Sequence, residues 1–214
     1  MVLYRSASNR TIPVVVLTLL LSAALTSCSR GGDTPPAAAG TAAAAPAPPR
    51  ELTWSGKVDM TLWSTVRVTA YKAALQQPTP RTLAVLRIPR LELEVPVYDG
   101  TTDAVLDLAA GRIEDTALPG TPGNVGIAAH RDGFFRILKD IKEGDALVLD
   151  TPVATEQYRV EWIKITIPED VSVIDPTPGP AVTLVGCFPF YHQGPAPQRF
   201  IVRAVPTAGS RAGG

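Results

Sequence analysis

Apolar and polar positions change their rhythm along this chain, and the changes mark its parts. From Ile12 to Leu25 apolar residues run almost unbroken. From Gly31 to about Arg50 the chain is nearly all Gly, Ala, Pro and Thr and has no apolar face to bury. Between Val58 and Gln77, Leu62, Val66, Ala70 and Ala73 recur at helical spacing, which predicts a helix ended by Pro78 and Pro80. Beyond Leu83 short β-type runs alternate with turn residues. Strands are predicted at Leu83–Ile88, Leu91–Val97, Asn124–Ala129, Ala146–Leu149, Gln157–Ile167, Ala181–Val185 and Phe200–Val205. Asp103–Leu108 reads as a helical turn or two, and Leu118–Gly123 as a long turn. Seven or eight short strands with little helix argue for an all-β domain, either a closed barrel or a sandwich.

The leading segment has the composition of an export signal. Arg5 and Arg10 precede an apolar stretch of about 14 residues, short of the roughly 20 that span a bilayer, so a signal peptide is favoured over a permanent span. Leu25-Thr26-Ser27-Cys28 resembles a lipobox, with Cys28 as the residue to be lipidated; an uncleaved signal-anchor is the alternative. The expected organisation is a signal (1–28), a disordered linker (29–53), a membrane-proximal helix (54–80), a β domain (81–207) and a disordered tail (208–214). Lys plus Arg and Asp plus Glu both number 20, so no basic surplus points to nucleic acid. With Cys28 committed to the membrane end, Cys187 is left as a single thiol in an exported protein, where cysteines usually form disulfides.

His130 and His192 are the only histidines, and no zinc-type spacing is present. Glu114, Asp115, Glu169 and Asp170 are loop acids of the solvated kind, so neither a metal nor a cofactor is expected. Gly120–Gly126 lacks the Lys-Ser/Thr and the helix of a phosphate cradle and is a turn. Cys187, His130 and Arg199 each lie at the end of a predicted strand. A thiolate, an imidazolium to protonate a leaving amine and a guanidinium to steady an oxyanion are the parts of cysteine acyl transfer. With ordinary pKa values near 8.5 and 6.5, only about 1% of molecules would carry thiolate and imidazolium together.

Their contexts sharpen the reading. Thr183-Leu184-Val185-Gly186-Cys187, the segment Gly123–Asp132 around His130, and Gly194–Ala204 around Arg199 resemble the sortase family of cysteine transpeptidases, nearest to its class D members. The resemblance runs from about Leu83 to Val205. It implies an eight-stranded closed β-barrel with short helices, its groove floor at Val125–Ala128 and Thr183–Val185, and its walls at Val171–Pro180 and Phe188–Gln198. It implies Cys187 as nucleophile, His130 as proton donor and acceptor, and Arg199 as oxyanion or substrate stabiliser. Ala128, Ala129, Thr183, Leu184 and Gly186 are expected to meet substrate, and His192 to serve packing or specificity. The substrate would be an exported protein with a sorting motif of the Leu-Pro-x-Thr-Gly type, cleaved to a Cys187 thioester. The acyl group would pass to an amine of a peptidoglycan peptide or a pilin lysine, at a membrane reached through the N-terminus. Two departures stand out: Gly186 where the family has Thr, and Ala129 where it has Gly. A hydrolytic cysteine endopeptidase and a non-catalytic peptide-binding lipoprotein are the alternative readings.

Overall fold

Eight strands close into a barrel in the spatial order β1-β2-β3-β4-β7-β8-β6-β5. They are β1 (Ala84–Ile88), β2 (Leu93–Asp99), β3 (Ala110–Arg112), β4 (Asn124–Ala128), β5 (Ala146–Asp150), β6 (Thr155–Thr166), β7 (Ala181–Phe188) and β8 (Gln198–Ala212). The structure is a computed structural model that describes residues 49–191 and 194–212. The expected signal with Cys28, most of the expected linker, and His192 lie outside the described residues. Among the described residues no helix is long and apolar enough to cross a membrane.

Closure removes the exposed sheet edges that an open sheet of this size would carry. Most neighbours are antiparallel, but β2 pairs with β3 and β4 with β7 in parallel. Side chains alternate across each strand, and burial shows which parity faces inward. Val125, Ile127 and Ala129 join the core, with Val182 and Leu184 from β7 and Phe200, Val202 and Ala204 from β8. The opposite parity, which includes Asn124, Ala128, Thr183, Val185, Cys187 and Arg199, forms the outer face of the same three strands.

One end of that outer face is sealed. Thr183 Oγ1 donates to Asn124 Oδ1 at 2.7 Å, and Asn124 Nδ2 donates to the Asp175 carbonyl at 3.1 Å. Arg203 Nη2 donates to the Val173 carbonyl at 2.7 Å. These bonds fasten the 3-10 turn Val171–Ile174, which lies within the segment expected to be a loop, over the lower strands. The upper end, toward Cys187, stays open.

Two helices flank the barrel, α1 (Thr65–Ala74) and α2 (Asp103–Leu108). The expected helix over 54–80 forms only across α1. Asp59 takes the Thr61 N–H at 2.9 Å, and Ser64 caps the helix by accepting from Arg67 N at 3.1 Å, so the helix begins at the cap. Trp63, Tyr71 and Phe134 pack edge to face, with ring centres 4.9 to 6.0 Å apart, and dock α1 on the barrel. Two expected boundaries also move. The last linker residues are tied down, because Arg50 bonds Thr151 O at 2.9 Å and Thr155 Oγ1 at 2.8 Å. The tail through Ala212 continues β8, pairing Ala212 with Thr155 past a register shift near Glu156 and Tyr158. The short β3 was not visible as a strand because three residues carry no alternation.

Replacing Asn124 with Ala leaves the buried Thr183 hydroxyl and the Asp175 carbonyl short of a partner, while the Val173 carbonyl keeps Arg203. Urea denaturation should show a loss of about 2 kcal/mol, the cost of stranding buried polar groups. Thr183→Val in the Asn124→Ala background should recover part of it; a variant as stable as the parent would refute this account of the seal.

Candidate active site

Strand pairing alone brings the three chemical residues together. In the parallel β4–β7 pair Ala128 faces Val185, and Ala129 N donates to Val185 O at 3.4 Å. Two residues past Ala128 is His130, and two past Val185 is Cys187. In the antiparallel β7–β8 pair Cys187 stands directly opposite Arg199. Residues directly opposite in such a pair project from the same face with Cβ atoms roughly 5 Å apart. His130 and Arg199 therefore flank Cys187 from its two neighbouring strands. His130 and Cys187 line one cavity of about 790 Å³. Arg199 Nη1 donates to the carbonyls of Gln198 at 3.2 Å and Ala196 at 3.4 Å, which hold the guanidinium at the rim of the strand.

His130 sits in a charged shell supplied by both helices. Its Nε2 lies 3.5 Å from Asp107 Oδ1 on α2. Arg67 of α1 pairs with Asp107 and, through Nε at 3.1 Å, with Asp132. Ser64 Oγ donates to the other oxygen of Asp132 at 2.8 Å. Burial pushes the His130 pKa below its ordinary value and the Arg67 charge pushes the same way, while Asp132, Asp107 and Asp103 pull upward. The imidazole is consequently neutral near pH 7. Burial raises the pKa of Asp132, but its bonds from Ser64 and Arg67 outweigh that and leave it below the ordinary value.

The expected substrate contacts divide. Ala128 is half-buried on the outer face, opposite Val185. Leu184 and Ala129 face the interior, at 0% and 6% exposure, and belong to the core. Gly186 shares their orientation: a Cβ there would meet Phe135 Cδ2 and Phe200 O, each at 3.9 Å. Thr183 is on the outer face but fully buried under the Val173 turn. The two departures Gly186 and Ala129 thus change core packing and not the groove surface, a correction that follows from strand alternation. Arg67, Asp107 and Ser64 were missed. Asp107 and Arg67 had no local signal, since only tertiary docking brings them to His130.

Two of the four loop acids, Glu114 and Asp170, are satisfied within the protein. Glu114 accepts from Thr101 N at 3.1 Å and Oγ1 at 2.9 Å, and Asp170 accepts from Lys164 at 2.9 Å and Thr166 at 2.6 Å. Among the described residues no group of three or more His, Cys, Asp or Glu is placed to hold a metal.

Because the folded pKa of His130 lies below its unfolded value, the neutral ring stabilises the fold above about pH 6.5, and that contribution declines as pH falls through it. NMR titration of the His130 ring should show Arg67→Ala moving its pKa up and Asp107→Asn moving it down; shifts of the reverse sign would refute the network. Gly186→Ala should raise stability by about 0.5 kcal/mol, as replacing a strand glycine does where space exists. A thermal melt below the parent's would show that the site is tighter than described.

The fold and the sequence find the same relatives. A family model described as the sortase domain matches residues 86–207. The chain is 30% identical over 132 residues to Sortase D of Bacillus subtilis, covering 61% of this chain and 67% of that protein. It is 35% identical over 125 residues to Sortase SrtE1 of Streptomyces coelicolor, covering 50% of this chain but only 36% of that one. A Clostridium perfringens Sortase D5 transpeptidase superposes with a TM-score of 0.55 at 26% identity, covering 66% of this chain and 89% of that structure. Sortase E1 of Streptomyces coelicolor, solved with a tripeptide in the active site, gives 0.54 at 30% identity, covering 60% and 89%. With its barrel, its order of His130, Cys187 and Arg199, and these matches, the chain belongs to the sortase family of cysteine transpeptidases.

Proposed function

We propose that the protein is an extracytoplasmic transpeptidase, tethered through its N-terminus with Cys28 as the lipidation site. It cleaves a C-terminal sorting motif of the Leu-Pro-x-Thr-Gly type in an exported protein and joins the new end to an amine. The observation that carries this reading is the strand register, which sets a thiol between an imidazole and a guanidinium on one outer face. Cys187 Sγ attacks the scissile carbonyl carbon. Since His130 is neutral at rest, the proton it later donates is the one taken from that thiol. Arg199 stabilises the oxyanion, the C–N bond breaks, and the leaving amine departs with the proton from His130. The thioester is then attacked by the acceptor amine, whose proton passes to His130 and on to the departing thiolate. One amide replaces another, so the exchange proceeds without an outside energy source.

Intact-protein mass spectrometry with a sorting peptide should show an adduct of the acyl fragment on Cys187, released by an added amine as a new amide. Cys187→Ala should show none. Arg199→Ala should acylate about 100-fold more slowly, in the range seen when one oxyanion donor is removed. Product unchanged by any amine would favour the hydrolytic reading, and an adduct that survives Cys187→Ala would end the proposal.

A further inference from the structure

His130 and Cys187 both lie beyond the last residues that pair β4 with β7. That register ends at Ala128 and Val185, and the bond from Ala129 N to Val185 O at 3.4 Å is the last contact after it. Cys187 is then held from β8, where Arg199 stands opposite. His130 is held instead by the turn it opens, since its carbonyl accepts from Gly133 N at 3.1 Å and Phe135 N at 3.2 Å. Phe134, Phe135 and Leu138 root that 3-10 turn, Phe134–Asp140, in the core. Each chemical group thus has its own support, and the gap between imidazole and thiol depends on what joins the two supports.

Two arginines on the His130 side make that join. Arg131 Nη2 donates to Gly194 O at 2.7 Å, and Arg136 Nη1 donates to the Phe190 carbonyl, three residues beyond Cys187. The Arg136 guanidinium carbon also lies 4.0 Å from the centre of the Tyr191 ring. Arg136 Nε is buried, so the bond to Phe190 forms where water competes little and a charge-assisted hydrogen bond is strongest. From Phe190 the connection runs back to the thiol through aromatic rings. Phe190 meets Phe188 at 5.9 Å and Phe200 at 5.0 Å between ring centres, and Phe188 directly follows Cys187. At the other contact Gly194 adopts φ +87°, a backbone that favours glycine and presents the carbonyl taken by Arg131.

A proton passes between two groups only within hydrogen-bond reach, roughly 2.6–3.2 Å, and a misplacement of about 1 Å costs on the order of 100-fold in rate. Resting on the transpeptidase reading, we propose that Arg131 and Arg136 are positioning residues. Together they clamp the segment after Cys187 to the turn after His130, at two points, and so set the gap across which the thiol proton moves to the imidazole. Neither arginine touches the reacting atoms in this role. They act through that gap, so they bear on the rate of acylation and not on affinity for the sorting peptide.

The test follows single-turnover acylation of Cys187 in the full protein by mass spectrometry, over a range of concentrations of a sorting peptide of the Leu-Pro-x-Thr-Gly type. In Arg136→Gln the maximal rate should fall about tenfold while the half-saturating concentration stays within about twofold. Arg136→Lys, which keeps a charged donor for the Phe190 carbonyl, should recover part of the loss. Gly194→Ala leaves both arginines in place, and its new methyl would meet no atom within 4 Å, but it opposes the left-handed backbone. It should slow acylation severalfold, and it guards against a folding defect in the arginine variants. Parental maximal rates in both Arg136→Gln and Gly194→Ala overturn the clamp alone, as does a raised half-saturating concentration at an unchanged maximal rate. A parent that forms no Cys187 adduct overturns the transpeptidase reading and the clamp with it.

Discussion

The parallel contact between β4 and β7 is the constraint on which the chemistry rests. Parallel strands end at the same edge of a sheet, so residues that follow them emerge together. His130 and Cys187 each lie two positions beyond the Ala128–Val185 pair and therefore leave the barrel side by side. An antiparallel pairing of the same segments would have sent them to opposite ends. The long excursion between the two strands, which includes β5 and β6, is what parallel geometry demands, and it closes the rest of the barrel on the way. Antiparallel β8 then completes the row by placing Arg199 opposite the thiol.

The barrel supplies position, and the helices supply electrostatics. Burial by itself would make His130 hard to protonate, because a desolvated imidazole resists charge. Asp107 on α2 and Asp132 after β4 offset that tendency, and Arg67 on α1 limits how far they do so. The proton affinity of one ring is thus shared among groups from three separate parts of the chain. The aromatic cluster of Trp63, Tyr71 and Phe134 is what keeps α1 near enough to take part.

Much of the architecture was legible in the sequence because strands that are buried on one face must alternate. The runs at Asn124, Gln157 and Ala181 lie within a few residues of the observed strands, and α2 starts and stops where Thr102 and the change of pattern place it. The placement of His130, Cys187 and Arg199 at strand ends was legible for a related reason, since each closes or opens such a run. Alternation also held information that motif comparison obscured: Gly186 has the parity of Val182 and Leu184 and so points into the core. The extent of α1 depended on side chains competing for backbone N–H groups at Asp59 and Ser64, a local effect stronger than helical spacing. Arg67 and Asp107 could not be foreseen, because nothing in their neighbourhoods encodes a partner some forty positions away.

The position of α1 has a practical consequence for handling this protein. A shortened version beginning at Ala84 would retain every strand, the sulfur and both of its flanking side chains. It would lack Ser64 and Arg67, leaving Asp132 without either of its side-chain donors. Rates measured on such a fragment would describe an imidazole in altered surroundings, so the segment ahead of the barrel belongs to the enzyme.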